Sequence, residues 1–293
     1  MLISIAVFQA LMYGLDGIAR IRPRQACTTA RFLVVACITG KYPLSFAMPE
    51  SSRTADCPAC AASLRVEAVR LRRGITTVFD GLDLQLDEPR VGLIGDNGAG
   101  KTSLFRLLCG LDAPQAGRVL LDGTELHEAR ARRPGQVGLM FQNPDDQIIF
   151  PTVEEELALG LRPSGISRRE ATERARALLA SRGLADWAPR AVAGLSQGQR
   201  QQVCWLALLI AAPRVLLLDE PFASLDLPGQ ARLARDIAAA EQQVLVSTHV
   251  LDHVRSFGRV LWLERGQVRA DGPGHAVCAA YEADVARRLQ AQD

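Results

Sequence analysis

From Leu64 onward, short apolar runs alternate with longer segments whose apolar positions recur with the period of a helix. The apolar runs are rich in Val, Leu and Ile and are bounded by Gly, Asp or other polar residues, which is typical of buried strands. Such strands are predicted at residues 90–94, 215–218, 243–247 and 259–263, the last in a hairpin. Helices are predicted at 168–182, which has a polar face, and at 198–210, which is more apolar. Strands that alternate with helices indicate an α/β domain.

Residues 1–62 do not share this alternation. An apolar run at 2–18, followed by Arg20, Arg22 and Arg24, approaches the ~18 residues of a membrane-spanning helix. A secretory signal would carry its positive charge before the apolar run, where this sequence has none. We interpret the segment as an N-terminal extension, disordered or upstream of the native start, because a start at Met48 or later leaves the following domain complete. A membrane anchor is the alternative.

Charge and cysteine content narrow the function classes. The 34 basic and 32 acidic residues are interspersed and leave a net charge of +2, which gives no field that would favour nucleic acid. Seven cysteines in a chain of 293 residues favour a reduced, cytoplasmic setting over a disulfide framework. Cys57 and Cys60 form a lone CxxC pair, interpreted as free thiols in a linker, with metal or redox use as the alternative.

A glycine-rich segment follows the strand predicted at 90–94. Residues 95–102 read GDNGAGKT and match GxxxxGK[ST] between a strand and a Leu-rich helix. The glycines let the backbone curl so that its N–H groups point at a phosphate chain, and the following helix adds the positive end of its dipole. Lys101 is expected to reach the β- and γ-phosphates, and Thr102 is expected to hold Mg²⁺. The predicted nucleotide-binding residues here are Gly95, Asp96, Asn97, Gly98, Ala99, Gly100, Lys101, Thr102 and Ser103.

Two acids follow the strand predicted at 215–218. Asp219 lies at the strand end, where it is expected to bind Mg²⁺ through water. Glu220 is displaced toward the γ-phosphate and is the best candidate for the base that orients and polarises the attacking water. An ordinary strand that ends in a helix cap is the alternative.

The segment LSQGQ, residues 195–199, precedes these acids and opens a predicted helix. Ser196 and the N–H of Gly198 are expected to grip phosphate at the N-terminus of that helix, with Gln199 beside them. Taken with the glycine-rich segment and the Asp-Glu pair, this segment resembles the LSGGQ signature of the ATP-binding subunits of ABC transporters. Gln197 stands where the family usually has its first glycine.

The resemblance covers about residues 64–275, where Gln142 matches the Q-loop glutamine, 224–226 the D-loop and His249 the switch histidine. It implies an α/β fold with a P-loop NTPase (RecA-like) core, an inserted α-helical subdomain and an antiparallel β portion. The implied boundaries are 63–275 for the ATPase domain, about 143–200 for its helical subdomain and 276–293 for a C-terminal helical tail. The aromatic residue that usually stacks on adenine is replaced near Arg73, and Arg72, Arg73 and Phe79 are the candidates for its role.

The resemblance also implies a mechanism that uses ATP and Mg²⁺. Two subunits close head to tail, as a homodimer or as a heterodimer with a related subunit, and each completes the other's site with residues 196–198. The implied catalytic residues are Glu220, His249, Gln142 and Lys101, and the implied Mg²⁺ ligands are Thr102, Gln142 and Asp219. Transport would demand a membrane partner, because residues 64–293 contain no spanning segment of their own. With such a partner, the ATPase is expected to lie peripherally at the cytoplasmic face of the inner membrane.

Residues 141–152, FQNPDDQIIFPT, and the VEEEL that follows resemble energy-coupling-factor ATPases. Residues 88–95 and 221–228 look most like the biotin-uptake member, with cobalt, nickel or another vitamin as alternatives. Such ATPases dock on a transmembrane coupling subunit, which engages a separate substrate-binding membrane protein. The rival class is a soluble ABC ATPase that acts on nucleic acid or ribosomes. Its usual long coiled-coil insertion or second ATPase domain is absent from this sequence.

The same segment predicts a coupling surface. Asn143 and Pro144 turn the chain after Gln142, which is expected to face the nucleotide. Asp145, Asp146 and the apolar residues 148–150 are expected to face outward and to line a groove for a basic helix of the membrane subunit. At least one of the three apolar residues is expected to pack under the helical subdomain instead.

Overall fold

The apolar runs become the strands of a central sheet, and the periodic segments become helices around it. The structure, a computed structural model, describes residues 62–162 and 165–291. The predictions made for residues 1–61 lie outside the described residues. The strands are β1 (Leu64–Arg73), β2 (Thr76–Leu86), β3 (Arg90–Ile94), β4 (Ala116–Leu121), β5 (Thr124–Glu125), β6 (Val137–Met140), β7 (Val215–Asp219), β8 (Gln243–Ser247), β9 (Arg259–Glu264) and β10 (Gln267–Gly272). The α-helices are α1 (Lys101–Leu108), α2 (Leu126–Arg132), α3 (Val153–Leu159), α4 (Arg168–Ser181), α5 (Gln197–Ala211), α6 (Leu227–Ala239) and α7 (Gly274–Gln290).

The central sheet has six strands in the order β10-β9-β3-β8-β7-β6. Its strands are parallel except for β10, which returns antiparallel to β9 in the predicted hairpin. Residues 215–218 of β7 are completely buried, as expected of a parallel strand that is covered on both faces. Because β3, β8 and β7 are neighbours that run the same way, the loops at their carboxyl ends meet at one edge of the sheet.

A second, antiparallel sheet has the order β2-β1-β4-β5. Strands β1 and β2 precede α1 in the chain, and β4 and β5 follow it. The sheet supplies Phe79 of β2 to the core beneath the glycine-rich segment. The two sheets together account for the predicted combination of an α/β core with an antiparallel β portion. That fold class is confirmed.

The helices α3, α4 and α5 pack together around a separate apolar cluster that includes Val153, Leu157, Ala175 and Leu179. Ser167 caps α4, because its side chain accepts a hydrogen bond from the N–H of Glu170. The part of the chain between β6 and β7 therefore forms a helical layer, at the place where the inserted subdomain was expected.

Helix α7 occupies the segment where the C-terminal helical tail was expected. It begins at Gly274 and packs on β9, and Val277 and Cys278 are buried in the core of the central sheet. The described part of this segment therefore belongs to the core of the domain. Within the described residues, no helix is both long enough and apolar enough to cross a membrane.

Candidate functional site

The glycine loop, residues 95–102, lies at the carboxyl end of β3 and leads directly into α1. Gly95, Gly98 and Gly100 all have positive φ, at 142°, 81° and 110°. At Gly95 a Cβ atom would lie 2.1 Å from the carbonyl oxygen of Leu263, so only glycine fits there. Among the described residues, the backbone N–H groups of Gly98 and Gly100 donate no hydrogen bond. A glycine loop whose N–H groups are available at a helix start suits a phosphate chain.

Lys101 folds back over the glycine loop. Its Nζ donates to the carbonyl oxygens of Gly95, at 2.7 Å, and Asp96, at 3.2 Å, and its side chain is buried. Burial lowers the pKa of Lys101, and the nearby carboxylates of Glu220 and Asp219 oppose that shift. The ammonium group is therefore held at the centre of the predicted site by groups that an incoming phosphate could replace.

Thr102, Asp219 and Ser247 form a row of oxygen atoms across α1, β7 and β8. The Thr102 hydroxyl donates to Asp219 Oδ2 at 2.7 Å, and the Ser247 hydroxyl donates to Asp219 Oδ1 at 2.5 Å. Hydroxyl and carboxylate oxygens are the ligand types that Mg²⁺ prefers. The donor set predicted for the metal is thus chemically suitable, and Ser247 is a member of the row that the sequence did not single out.

Glu220 and His249 meet at the same edge, 29 positions apart in the sequence. Glu220 has a φ of 48°, which is unusual for a residue with a side chain and turns it away from the line of β7. Its Oε2 lies 2.8 Å from Nδ1 of His249 and 3.3 Å from the backbone N of His249, which donates to it. A strained backbone at a buried carboxylate is a feature that clusters at functional sites.

The glycine loop is supported from below by two contacts that the sequence did not predict. The N–H of Gly266, in the turn between β9 and β10, donates to the carbonyl oxygen of Ala99 at 3.0 Å. The ring of Phe79 lies against Gly100, where a Cβ atom would be 3.0 Å from it. Neither contact leaves a signal in the local sequence, because each joins the loop to a distant strand.

Phe79 is therefore wrong as a candidate for stacking on adenine, because its side chain is only 1% exposed and packs under the loop. Arg73 is also engaged, since its guanidinium pairs with Asp112 at 2.5 Å. Arg72 has an exposed side chain, and its backbone N donates to Gln115 Oε1 at 2.7 Å. Arg73 is exposed as well, but its guanidinium is held by Asp112, so Arg72 is the candidate that the structure favours for the base.

The predicted signature residues lie at the start of α5. Ser196 is the N-cap, and its hydroxyl accepts from the N–H of Gln199 while Gln199 Oε1 accepts from the N–H of Ser196, which makes a capping box. Gly198 lies close to Ser224, because a Cβ atom added at Gly198 would be 3.2 Å from the carbonyl oxygen of Ser224. The hydroxyl expected to grip phosphate thus has a structural partner within the chain, the N–H of Gln199.

Gln142 follows β6 at the same edge of the sheet and is exposed. Among the described residues it makes no hydrogen bond to Asp219, Glu220 or Thr102, so its predicted role in the site stays a prediction. The backbone just before Gln142 is held by buried Gln147, whose Oε1 accepts from the N–H of Phe141 at 3.2 Å.

The groove predicted from residues 145–150 is corrected in one respect and confirmed in another. Asp145 is not a free outward charge, because Arg200 of α5 pairs with it at 3.0 Å. Ile148 packs against both the central and the helical clusters, which confirms the expectation that at least one of the apolar residues lies inside. Ile149 is 36% exposed, and Asp146 and Phe150 are half-buried.

Comparisons with known proteins agree with this geometry. The family model described as ABC transporter matches residues 79–223. The biotin transport ATP-binding protein BioM of Rhodobacter capsulatus is 48% identical over 213 residues, which are 73% of this chain and 91% of that protein. The energy-coupling factor transporter ATP-binding protein EcfA1 of Enterococcus faecalis is 36% identical over 202 residues, 67% of this chain and 72% of that protein.

A solved structure shares the fold. It is cbiO1 from Clostridium perfringens, described as part of the ABC transporter complex cbiONQ, and it aligns with a TM-score of 0.63 and 26% identity. The alignment covers 77% of this chain and 93% of that one. The resemblance inferred from residues 64–275 is therefore confirmed, and the chain belongs to the ATP-binding proteins of the ABC transporter family, which bind ATP and are ATPases.

Proposed function

We propose that this chain is the ATPase of an energy-coupling-factor importer and that the transported vitamin is biotin. The observation that carries the ATPase part is the convergence of Lys101, Thr102, Asp219, Glu220 and His249 at one edge of the central sheet. The assignment to biotin rests on the 48% identity with BioM over 91% of that relative. The EcfA1 and cbiO1 relatives support the type of importer.

The residues divide the work of ATP hydrolysis by their chemistry. Lys101 exchanges its loop carbonyls for the β- and γ-phosphates, while the N–H groups of the glycine loop bind the phosphate oxygens. Glu220, already aligned by His249, accepts a hydrogen bond from the attacking water and takes its proton. His249 is 63% exposed, so it can contact both Glu220 and the γ-phosphate.

Thr102 and Asp219 are the residues that would hold Mg²⁺, with Gln142 as a third ligand from the loop after β6. Bound there, the ion would neutralise phosphate charge as bond cleavage proceeds. Asp219 is kept in place by Ser247, which orients the carboxylate from the neighbouring strand.

The complete site requires a second ATPase subunit. Ser196, Gly198 and Gln199 lie at the start of α5, where Ser196 is the exposed N-cap. In a head-to-tail dimer, either of two identical chains or with a related subunit, these residues reach the phosphates bound by the partner. The dimer is proposed to dock on a transmembrane coupling subunit at the cytoplasmic face of the membrane, next to a separate biotin-binding membrane protein.

The test replaces Glu220 by Gln in the full chain. Hydrolysis is expected to fall roughly 10²–10⁴-fold while ATP still binds, because the general base is removed and the phosphate contacts stay. Closed dimer should accumulate in ATP, as measured by size-exclusion chromatography. Glu241→Gln, an exposed carboxylate in the loop before β8, is the matched control and should hydrolyse ATP normally.

Uptake of labelled biotin, cobalt and nickel by cells that depend on this chain identifies the substrate. Loss of biotin uptake alone in Glu220→Gln is the expected result. Loss of metal-ion uptake instead would show that the biotin assignment is wrong. Unchanged uptake of all three together with ATPase activity stimulated by nucleic acid or ribosomes would place the chain in the rival class. Full hydrolysis by Glu220→Gln would refute the role given to that residue.

A further inference from the structure

The glycine loop contains an acid, Asp96, at a place proposed to receive the negative charge of ATP. Both of its carboxylate oxygens are bound by residues of α7. Tyr281 Oη donates to Asp96 Oδ1 at 2.6 Å, and Arg288 donates to Oδ2 through one terminal nitrogen at 2.5 Å and to Oδ1 through the other at 3.3 Å. Tyr281 and Arg288 are seven positions apart, which is two helical turns and places both on one face of α7.

Arg288 is held in position by a second acid of the same helix. Its Nε lies 2.9 Å from Asp284 Oδ2, and Asp284 is 95% buried. Asp284 also accepts from Arg269 of β10 at 2.7 Å, and the Arg269 guanidinium stacks over the ring of Trp262 at 4.3 Å. The arginine that reaches Asp96 is therefore anchored to the β9–β10 hairpin.

Tyr281 is anchored to the same hairpin. Its ring meets Trp262 of β9 edge to face, with centroids 5.2 Å apart and an angle of 82° between the planes. The turn of this hairpin also donates a hydrogen bond to the loop, from Gly266 to Ala99. Two independent routes thus connect the hairpin through α7 to a single carboxylate of the glycine loop.

The electrostatic reason for this arrangement lies in the charge of Asp96. The hydrogen bonds from Arg288 and Tyr281 lower the pKa of Asp96, so the carboxylate is ionised at neutral pH. The carbonyl oxygen of the same residue accepts from Lys101, which places this charge next to the lysine proposed to bind phosphate. An ionised carboxylate there repels a polyphosphate unless a cation compensates it.

We infer that Arg288, aided by Tyr281, is a positioning residue for nucleotide binding: it compensates the charge of Asp96 and holds that side of the glycine loop from α7. This inference rests on the proposed binding of ATP phosphates to the glycine loop. Arg288 acts through Asp96 and has no assigned contact with the reacting atoms.

The test compares Arg288→Ala with Arg287→Ala in the full chain. Arg287 is the matched control, because it neighbours Arg288, is 71% exposed and contacts Asp284 rather than Asp96. Arg288→Ala should raise the KM for ATP roughly two- to fivefold with kcat unchanged, the size expected of a half-exposed ion pair. Higher salt should shrink the difference, since salt screens such a pair. Arg288→Lys should restore most of the affinity, and Arg287→Ala should leave KM as it is.

The decisive measurement repeats Arg288→Ala in an Asp96→Asn background. Without the carboxylate there is no charge to compensate, so the second substitution should not change the KM further. An equal rise in both backgrounds would show that Arg288 only stabilises α7, and no rise in either would also overturn the inference. The Lys101→Ala variant distinguishes a failure of this inference from a failure of the proposed phosphate site. If ATP still binds to Lys101→Ala with unchanged affinity, the phosphates are not on this loop. If that affinity is lost while Arg288→Ala behaves normally, only the role of Arg288 is wrong.

Discussion

Gly266 shows at the scale of one residue how the nucleotide loop depends on a turn far away in the sequence. Its φ is 77°, and a Cβ atom there would lie 1.7 Å from the carbonyl oxygen of Val78. That proximity lets its N–H reach Ala99, so the β9–β10 turn, β2 and the glycine loop meet at one point. The absence of a side chain at this turn is what allows three backbone segments to pack so closely.

We predict that Gly266→Ala will destabilise the protein by roughly 1–3 kcal/mol, because the left-handed backbone is strained and Val78 must move. ATP affinity should fall as well, since Ala99 loses its donor. The control is Gly258→Ala, where φ is not positive and no atom lies within 4 Å of the added Cβ. Denaturant unfolding and ATP titration of the two variants measure both effects. Equal values for both variants would contradict the role given to Gly266.

At the scale of one element, the segment 141–152 is fixed by a buried acceptor of the following helix and by a turn within its own sequence. Glu156 of α3 is 98% buried, and its Oε2 accepts from the N–H groups of Ile149, at 2.9 Å, and Phe150, at 2.8 Å. Asn143 accepts from the N–H of Asp145 at 3.3 Å and closes the preceding turn. A carboxylate that receives backbone N–H groups in the interior makes strong, charge-assisted hydrogen bonds.

Removing that carboxylate should loosen the segment. Glu156→Ala leaves two inward N–H groups without this acceptor, so we expect a loss of about 1–3 kcal/mol in the free energy of unfolding. Limited proteolysis should cut between residues 147 and 152 faster than in the unchanged chain. Glu173→Ala, which removes a mostly exposed partner of Arg169 on α4, is the control and should shift neither measurement appreciably. If proteolysis cuts the segment no faster in Glu156→Ala than in the unchanged chain, Glu156 does not hold the segment in place.

At the scale of the whole molecule, the segment 141–152 connects the nucleotide edge of the sheet to the helical layer. Ile148 packs against both apolar clusters, and Asp145 pairs with Arg200 on the helix that begins at the signature. The segment therefore cannot shift without changing its contacts with both the central sheet and the helical layer. This is the physical basis for proposing it as the place where ATP binding is coupled to a membrane partner.

Asp146→Lys tests that coupling without disturbing the pair between Asp145 and Arg200. Reversal of the Asp146 charge should reduce biotin uptake, because a basic helix of the membrane subunit would be repelled, whereas ATP binding by the full chain should stay unchanged. Glu241→Lys, an exposed charge change outside the segment, is the control for uptake. Normal uptake by Asp146→Lys would exclude Asp146 from the docking surface, and weakened ATP binding would point to a folding defect.

Features that depend on consecutive residues could be predicted before the fold was known. The apolar runs predicted the parallel strands, GDNGAGKT predicted the glycine loop, and the order of the motifs predicted the family, because each depends on local spacing and side-chain type. Which distant groups come into contact became clear from the folded chain. It brought Glu220 to His249 across 29 positions and Arg288 to Asp96 across 192, it buried Phe79 under the loop, and it paired Asp145 with Arg200. These contacts depend on which faces of distant strands and helices pack together, and no local pattern encodes that choice.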